Sequence, residues 1–224
     1  IPNLFPLLNL AAGFTGIHYA FRGMYYESIL CMGIALHMDL FDGLAARLLR
    51  AVSDLGKQLD SLADLVSFGV LPSLLCWISL DASMGNFTAF FPALFFVLAA
   101  CIRLGIFNIK SVNTDFSGLP VPGAAMLTGS FVLMQIMEVP LSQTLHPLVL
   151  WVLTILAGIL MLLPIRMLSL KFKHLKWKGN AYRYMLAAGG LALLVIFAGK
   201  GGIFFSVVWY LLLSFVYSLS YREN

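Results

Sequence analysis

Long apolar runs alternate along this chain with short breaks of Gly, Pro and charged residues. A helix needs about 20 mostly apolar residues to cross the hydrocarbon core of a bilayer. Eight segments qualify, at roughly 4–21, 27–49, 60–80, 87–110, 121–139, 146–165, 182–199 and 203–220. The breaks fall at Arg22–Gly23, Asp54–Gly56, Asp81–Gly85, Thr114–Pro122, Glu138–Pro140, Lys171–Asn180 and Lys200–Gly202, all rich in residues that interrupt helices. The pattern predicts an all-α, polytopic membrane bundle of about eight transmembrane helices. It contains no internal repeat or low-complexity tract, so residues 1–224 read as a single integral membrane domain.

Composition strengthens this reading. Of the 224 residues, 61% are hydrophobic and 11% charged, where a water-soluble domain carries about 25% charged residues. The formal net charge of +4 does not indicate nucleic acid, because no basic patch is interleaved with exposed aromatics. The basic residues instead set an orientation. In an eight-span arrangement all of the 14 Lys and Arg fall on one side except Arg22 and Lys200. Cytoplasmic loops are the Lys/Arg-rich ones, so both termini and the even-numbered connections are expected to face the cytoplasm. The run "KFKHLKWKGNAYR" then reads as a topology determinant and interfacial anchor. Cys31, Cys76 and Cys101 stand singly in apolar runs, without the spacing of a zinc site or a disulfide framework. The chain opens on Ile1, so an initiating Met and a short basic leader are expected ahead of it. The first apolar segment lacks the basic start and small-residue cleavage site of a signal peptide.

Against this background one stretch stands out. Between Asp39 and Gly69 lie five of the ten acidic residues. A charge inside a membrane span costs at least ~2.5 kcal/mol at the helix centre and usually marks a functional, hydrated site. Asp54, with Leu55 and Gly56, is expected in the turn between spans two and three. Asp39 and Asp42 are three apart and share a helix face, with Arg47 further along; Asp60 and Asp64 are four apart on the next helix. These two acidic faces can meet in an antiparallel pair. Converging carboxylates repel one another, so either several are protonated or a divalent cation sits among them. An all-oxygen site suits Mg²⁺, Mn²⁺ or Ca²⁺, and Mg²⁺ in particular pairs carboxylates with substrate phosphates. The small residues Gly43 and Ala46, together with Gly56, let a bulky ligand approach the backbone. The residues therefore suggest a metal-assisted phosphate site, with a cation-coupled transporter as the rival class.

With its spacing, the segment reads Asp39-x2-Asp42-Gly43-x2-Ala46-Arg47-x8-Gly56-x3-Asp60-x3-Asp64. It resembles the signature of the CDP-alcohol phosphatidyltransferase family at every fixed position. The resemblance implies transfer of a phosphatidyl group from a CDP-linked lipid to an alcohol, with release of CMP. It implies that Asp39, Asp42, Asp60 and Asp64 hold one or two Mg²⁺ or Mn²⁺ ions. Asp64 is further implied to be the catalytic base toward the acceptor hydroxyl. Asp39, Gly43, Ala46, Arg47, Gly56 and Asp60 would surround the cytidine and phosphates. Homodimers are common in the family.

Further stretches resemble the membrane phosphatidylserine synthases of bacteria and archaea: "IPNLFPLLNLAAGF", "DSLADLVSFGVLPS", "RLGIFNI", "FSGLPVPGAA" and "LSLKFKHLK". They imply CDP-diacylglycerol as donor and L-serine as acceptor, with another alcohol (inositol phosphate, glycerol phosphate or choline) or an ether-lipid donor as alternatives. A serine pocket needs a cation for the serine carboxylate, and a guanidinium grips one bidentately. Arg103, Asn108 and Lys110 are the expected acceptor-binding residues, and Ile106 stands where the resembled motif has a second arginine. The loop Thr114–Pro122, stiffened by its prolines, is placed to close over the acceptor. His37, two residues from Asp39, reads as a packed or interfacial histidine, and Gly189–Gly190 as a close-packing point at a subunit contact.

Overall fold

The computed structural model describes residues 4–48, 54–109, 118–165, 167, 181–198 and 201–220. Among them all regular structure is helical. Helices α1 (Leu4–Phe21) and α2 (Tyr25–Leu48) form a hairpin. Next comes one continuous helical rod, Asp54–Met84, built of α3 (Asp54–Asp64), a π-helical segment (Leu65–Val70) and α4 (Leu71–Met84). Helices α5 (Asn86–Ile109), α6 (Val121–Ile136), the short α7 (Pro140–Thr144), α8 (Leu148–Leu162), α9 (Ala181–Ile196) and α10 (Gly202–Ser220) follow.

Among the described residues, three helical stretches are long and apolar enough to cross a membrane: Leu4–Phe21, Asp54–Met84 and Asn86–Ile109. Helices α6, α8, α9 and α10 are shorter apolar helices. Each of the eight expected spans coincides with a helix, and the differences at their ends have local causes. The third span does not begin at residue 60. The described helix already includes Asp54, whose acidic side chain in its first turn suits the positive end of the helix dipole. Asp54 and Gly56 therefore lie inside α3 rather than in a turn. The fifth span stops at Ile136 instead of 139, because Glu138 takes a positive φ of 52° and Pro140 follows. Helix α6 starts at Val121 behind extended Pro120, with a proline in its first turn, where the missing N–H costs nothing.

The surface departs from that of a water-soluble domain in being largely apolar. Phe87, Ile109 and Phe21 are 90%, 87% and 74% exposed, while Asn9, Ser67, Thr128 and Thr154 are fully buried. Apolar surface outside and hydrogen-bonded polar groups inside is the arrangement a lipid solvent demands. The protein is a multi-pass integral membrane protein. Its core gathers Phe68, Leu71, Leu75, Phe96, Leu127 and Phe131, lined by small residues such as Ala35, Ala99, Ala100, Ala124 and Ala157 that let helices approach closely. Cys31 and Cys76 are buried and Cys101 is exposed, all as free thiols.

Buried hydroxyls tie the bundle together. Ser28 Oγ donates to the Gly16 main-chain oxygen (2.8 Å) across the α1–α2 hairpin, and Ser79 Oγ donates to Gln135 Oε1 (2.7 Å) between α4 and α6. Gly118 N donates to Ile165 O (2.8 Å) and Leu119 N to Leu160 O (2.9 Å), fastening the entry to α6 against the end of α8. Of the loop expected to close over an acceptor, residues 114–117 lie outside the described residues. Gly189 packs on the Trp209 indole of α10, so its close contact is made within the chain.

Candidate metal centre and active site

Helix α1 lies against α2, α3 and the π-helical segment, while α5 packs against α3 and that same segment. The C-terminal half of α2 and the N-terminal part of the Asp54–Met84 rod are successive described helices. Their acidic faces meet as the spacing predicts. Asp39 from α2 and Asp60 and Asp64 from α3 each offer an oxygen, and these all lie within 4.8 Å of one another. Asp64 is buried, and Asp39 and Asp60 are half-buried. Asp42 is half-buried on α2, and its carboxylate is outside that group. Asp54, the fifth aspartate, is exposed at the start of α3.

Three carboxylates this close repel one another when ionised, and a divalent cation is the simplest neutralising partner. A purely oxygen donor set with no thiol or imidazole suits a hard cation such as Mg²⁺ or Mn²⁺. The Asp39, Asp60 and Asp64 group thus fits a divalent-metal site. His37 is exposed on α2 rather than packed, and its Nδ1 pairs with the Gly33 main-chain oxygen at 2.8 Å.

The other expected residues distribute as follows. Gly43, Ala46 and Arg47 lie on α2, but their side chains are outside the described residues, as is the whole of Lys110. Gly56 is half-buried on α3. Asn108, near the end of α5, joins α3 through a compact polar cluster. Ser61 Oγ donates to its Oδ1 (3.0 Å), its Nδ2 donates to Gln58 Oε1 (3.3 Å), and Lys57 Nζ donates to its main-chain oxygen (2.7 Å). The Lys57 ammonium also lies 5.9 Å from the centre of the Phe107 ring. Ser61 is the sequence neighbour of Asp60, so this cluster adjoins the carboxylates. Arg103 is buried on α5, and its Nε has no hydrogen-bond partner. Ile106 is 38% exposed on the same helix and is not buried with Arg103.

One residue escaped the sequence reading. Asn9 of α1 is fully buried, and its Nδ2 donates to Asp64 Oδ1 at 3.0 Å. Its main-chain oxygen accepts from Ser67 Oγ at 3.0 Å. The available signal was a lone amide in an otherwise apolar span, the kind of residue that membranes tolerate only when it has a partner.

Fold and site together define a multi-pass helical membrane protein with a carboxylate centre suited to a divalent cation. The profile of CDP-alcohol phosphatidyltransferases matches residues 1–163, and the chain belongs to that family. A Bacillus subtilis protein named CDP-diacylglycerol–serine O-phosphatidyltransferase is 39% identical over 127 residues, covering 56% of this chain and 71% of the relative. A Helicobacter pylori protein of the same name is 35% identical over 179 residues, covering 79% of this chain and 74% of the relative. An archaetidylserine synthase from Methanothermobacter thermautotrophicus is 32% identical over 136 residues, 59% of this chain and 58% of that protein.

Proposed function

We propose that this enzyme transfers the phosphatidyl group of CDP-diacylglycerol to the hydroxyl of L-serine, giving phosphatidylserine and CMP. The observation that carries this reading is the convergence of Asp39, Asp60 and Asp64 from two helices within 4.8 Å, in a chain of this family. The serine-synthase names of the Bacillus and Helicobacter relatives support serine as acceptor. Family membership sets aside the cation-coupled transporter.

Asp39, Asp60 and Asp64, with Asp42 on the same face as Asp39, would hold Mg²⁺ or Mn²⁺. Bound there, the cation supplies Lewis-acid polarisation of the diphosphate and charge neutralisation of departing CMP. The protein's own groups do the rest. Gly43, Ala46 and Gly56 leave room for the cytidine and phosphates against the helix backbones, and Arg47 pairs with phosphate. Asp64, held by the Asn9 amide, takes the proton from the serine hydroxyl as that oxygen attacks phosphorus. Because Asp64 is buried, water competes poorly for that position. On the α5 side, Arg103 offers a buried guanidinium with an open Nε, suited to the serine carboxylate, and Asn108 and Lys110 complete the acceptor pocket.

In the membrane, the eight helices α1, α2, Asp54–Met84, α5, α6, α8, α9 and α10 would cross, with the site on the Lys/Arg-rich cytoplasmic side. Lipid tails would remain in the bilayer, and the enzyme would act as a single catalytic domain in a homodimer. The archaetidylserine synthase among the relatives makes an ether-lipid donor an arm of the test.

The test is CMP release by purified protein in mixed micelles with Mn²⁺. Diester and diether CDP-lipids are each supplied with L-serine, glycerol 3-phosphate, inositol phosphate or choline. Serine-dependent release that disappears in Asp64→Asn is the expected result. Release with a different alcohol would keep the chemistry and discard serine, while no release with any alcohol would refute the proposal.

A further inference from the structure

Asn9 is the buried polar side chain that the mechanism above uses only as a prop for Asp64. A carboxylate is acceptor-only, so the amide must turn its nitrogen to Asp64, as the 3.0 Å contact from Nδ2 shows. The carbonyl oxygen of that amide, Asn9 Oδ1, is buried and has no hydrogen-bond partner. A buried acceptor left unpaired is unfavourable and calls for a water, a ligand or an ion at its site. Because the Asn9 amide itself touches Asp64, its carbonyl oxygen sits within the width of one amide group of the carboxylate centre. Asn9 is also fixed from behind, where Ser67 Oγ donates to its main-chain oxygen at 3.0 Å.

We propose that Asn9 completes the oxygen set of the cation site. Its nitrogen orients Asp64, and its carbonyl is a fourth, neutral oxygen that reaches the cation directly or through one water. Hard-cation sites take amide carbonyls alongside carboxylates, and groups that orient a metal's ligands typically contribute 10–100-fold in affinity. This inference rests on the metal-binding reading of Asp39, Asp60 and Asp64.

The experiment is Mn²⁺ binding to purified protein in detergent without lipid substrate, read by electron paramagnetic resonance of free Mn²⁺, together with Mn²⁺-induced shifts in Tm. Asn9→Leu is expected to bind Mn²⁺ at least about ten-fold more weakly than wild type. Its CMP release should recover partly as Mn²⁺ is raised. Asn9→Asp keeps an oxygen and adds a charge, so its Mn²⁺-induced rise in Tm should exceed that of wild type. Ser67→Ala removes the rear support without touching the amide; it should lower Tm while leaving Mn²⁺ affinity within about two-fold. Folded Asn9→Leu with wild-type Mn²⁺ affinity would overturn the proposal alone. So would an Asn9→Asp shift no larger than wild type, or Ser67→Ala weakening Mn²⁺ as much as Asn9→Leu. Wild-type protein that binds no Mn²⁺ would overturn both this inference and the metal reading beneath it.

Discussion

Helix α1 meets the π-helical segment at Gly13, and adding one methyl group there tests how the site is held. A Cβ on Gly13 would run into Ser67 Oγ and come within 2.9 Å of Ser67 Cα. The hydroxyl can rotate away, but only by giving up its bond to the Asn9 main-chain oxygen, a loss of about 1 kcal/mol. The Cα cannot move aside, so the two helices must separate by about 0.5 Å to restore ordinary contact, and overpacking of this kind costs about 1–3 kcal/mol. The sum predicts that Gly13→Ala destabilises the protein by about 2–4 kcal/mol. Separation also draws Asn9 away from Asp64, and catalytic groups tolerate only about 0.5 Å of displacement. We therefore expect kcat for CMP release to fall about ten-fold or more. Gly33→Ala on α2 is the control, because its Cβ would meet nothing within 4 Å; it should be neutral or slightly stabilising, by less than about 1 kcal/mol. The assay is thermal unfolding in detergent followed by thiol labelling of buried Cys76, alongside CMP release. If Gly13→Ala matches Gly33→Ala in both readouts, the contact between α1 and the π-helical segment does not hold the site.

A guanidinium buried with an open Nε is a poor contributor to stability, so Arg103→Leu should keep or raise Tm. Its KM for serine should rise at least about ten-fold if the guanidinium grips the carboxylate; an unchanged KM removes Arg103 from the acceptor pocket. Gly118 has a φ of +83°, and a Cβ there would meet the main-chain oxygens of Met161 (2.7 Å) and Leu163 (2.9 Å). Strain and clash together predict that Gly118→Ala loses about 2–4 kcal/mol, seen as a lower Tm and checked against Gly105→Ala, which meets nothing within 4 Å. Chelation by EDTA should lower Tm and Mn²⁺ should restore it, by about 2.7 kcal/mol at a hundred-fold excess over Kd. Asp60→Asn should abolish that recovery, and a persisting metal-dependent shift would locate the cation elsewhere.

The helices were legible because long apolar runs are separated by Gly, Pro and charged breaks, and the carboxylate pairs by residues three and four apart on one helix face. The ends were less legible. Asp54 and Gly56 looked like a turn, yet both lie in α3, whose acidic first turn suits the positive end of the helix dipole. The meeting of Asp39 with Asp60 and Asp64 followed from spacing, whereas the position of Asp42 outside the 4.8 Å group did not. Spacing places a side chain on a face, but its rotamer decides where the carboxylate ends.

What the sequence could not display was the part of the site supplied from a distance. A π-helical turn has no local signature, and here it begins at Leu65, directly after Asp64. Such turns interrupt the regular α-helical bonding and often lie at functional sites. In this protein the segment carries Ser67 to the Asn9 main chain, against a helix stripped to glycine at position 13. The side chain of that same Asn9 places its amide on Asp64. An apolar run that reads as nothing more than a first membrane span thus becomes the third wall of the carboxylate centre. The family signature lies wholly on α2 and α3, so a variant that preserves all eight of its positions can still lose the site through α1.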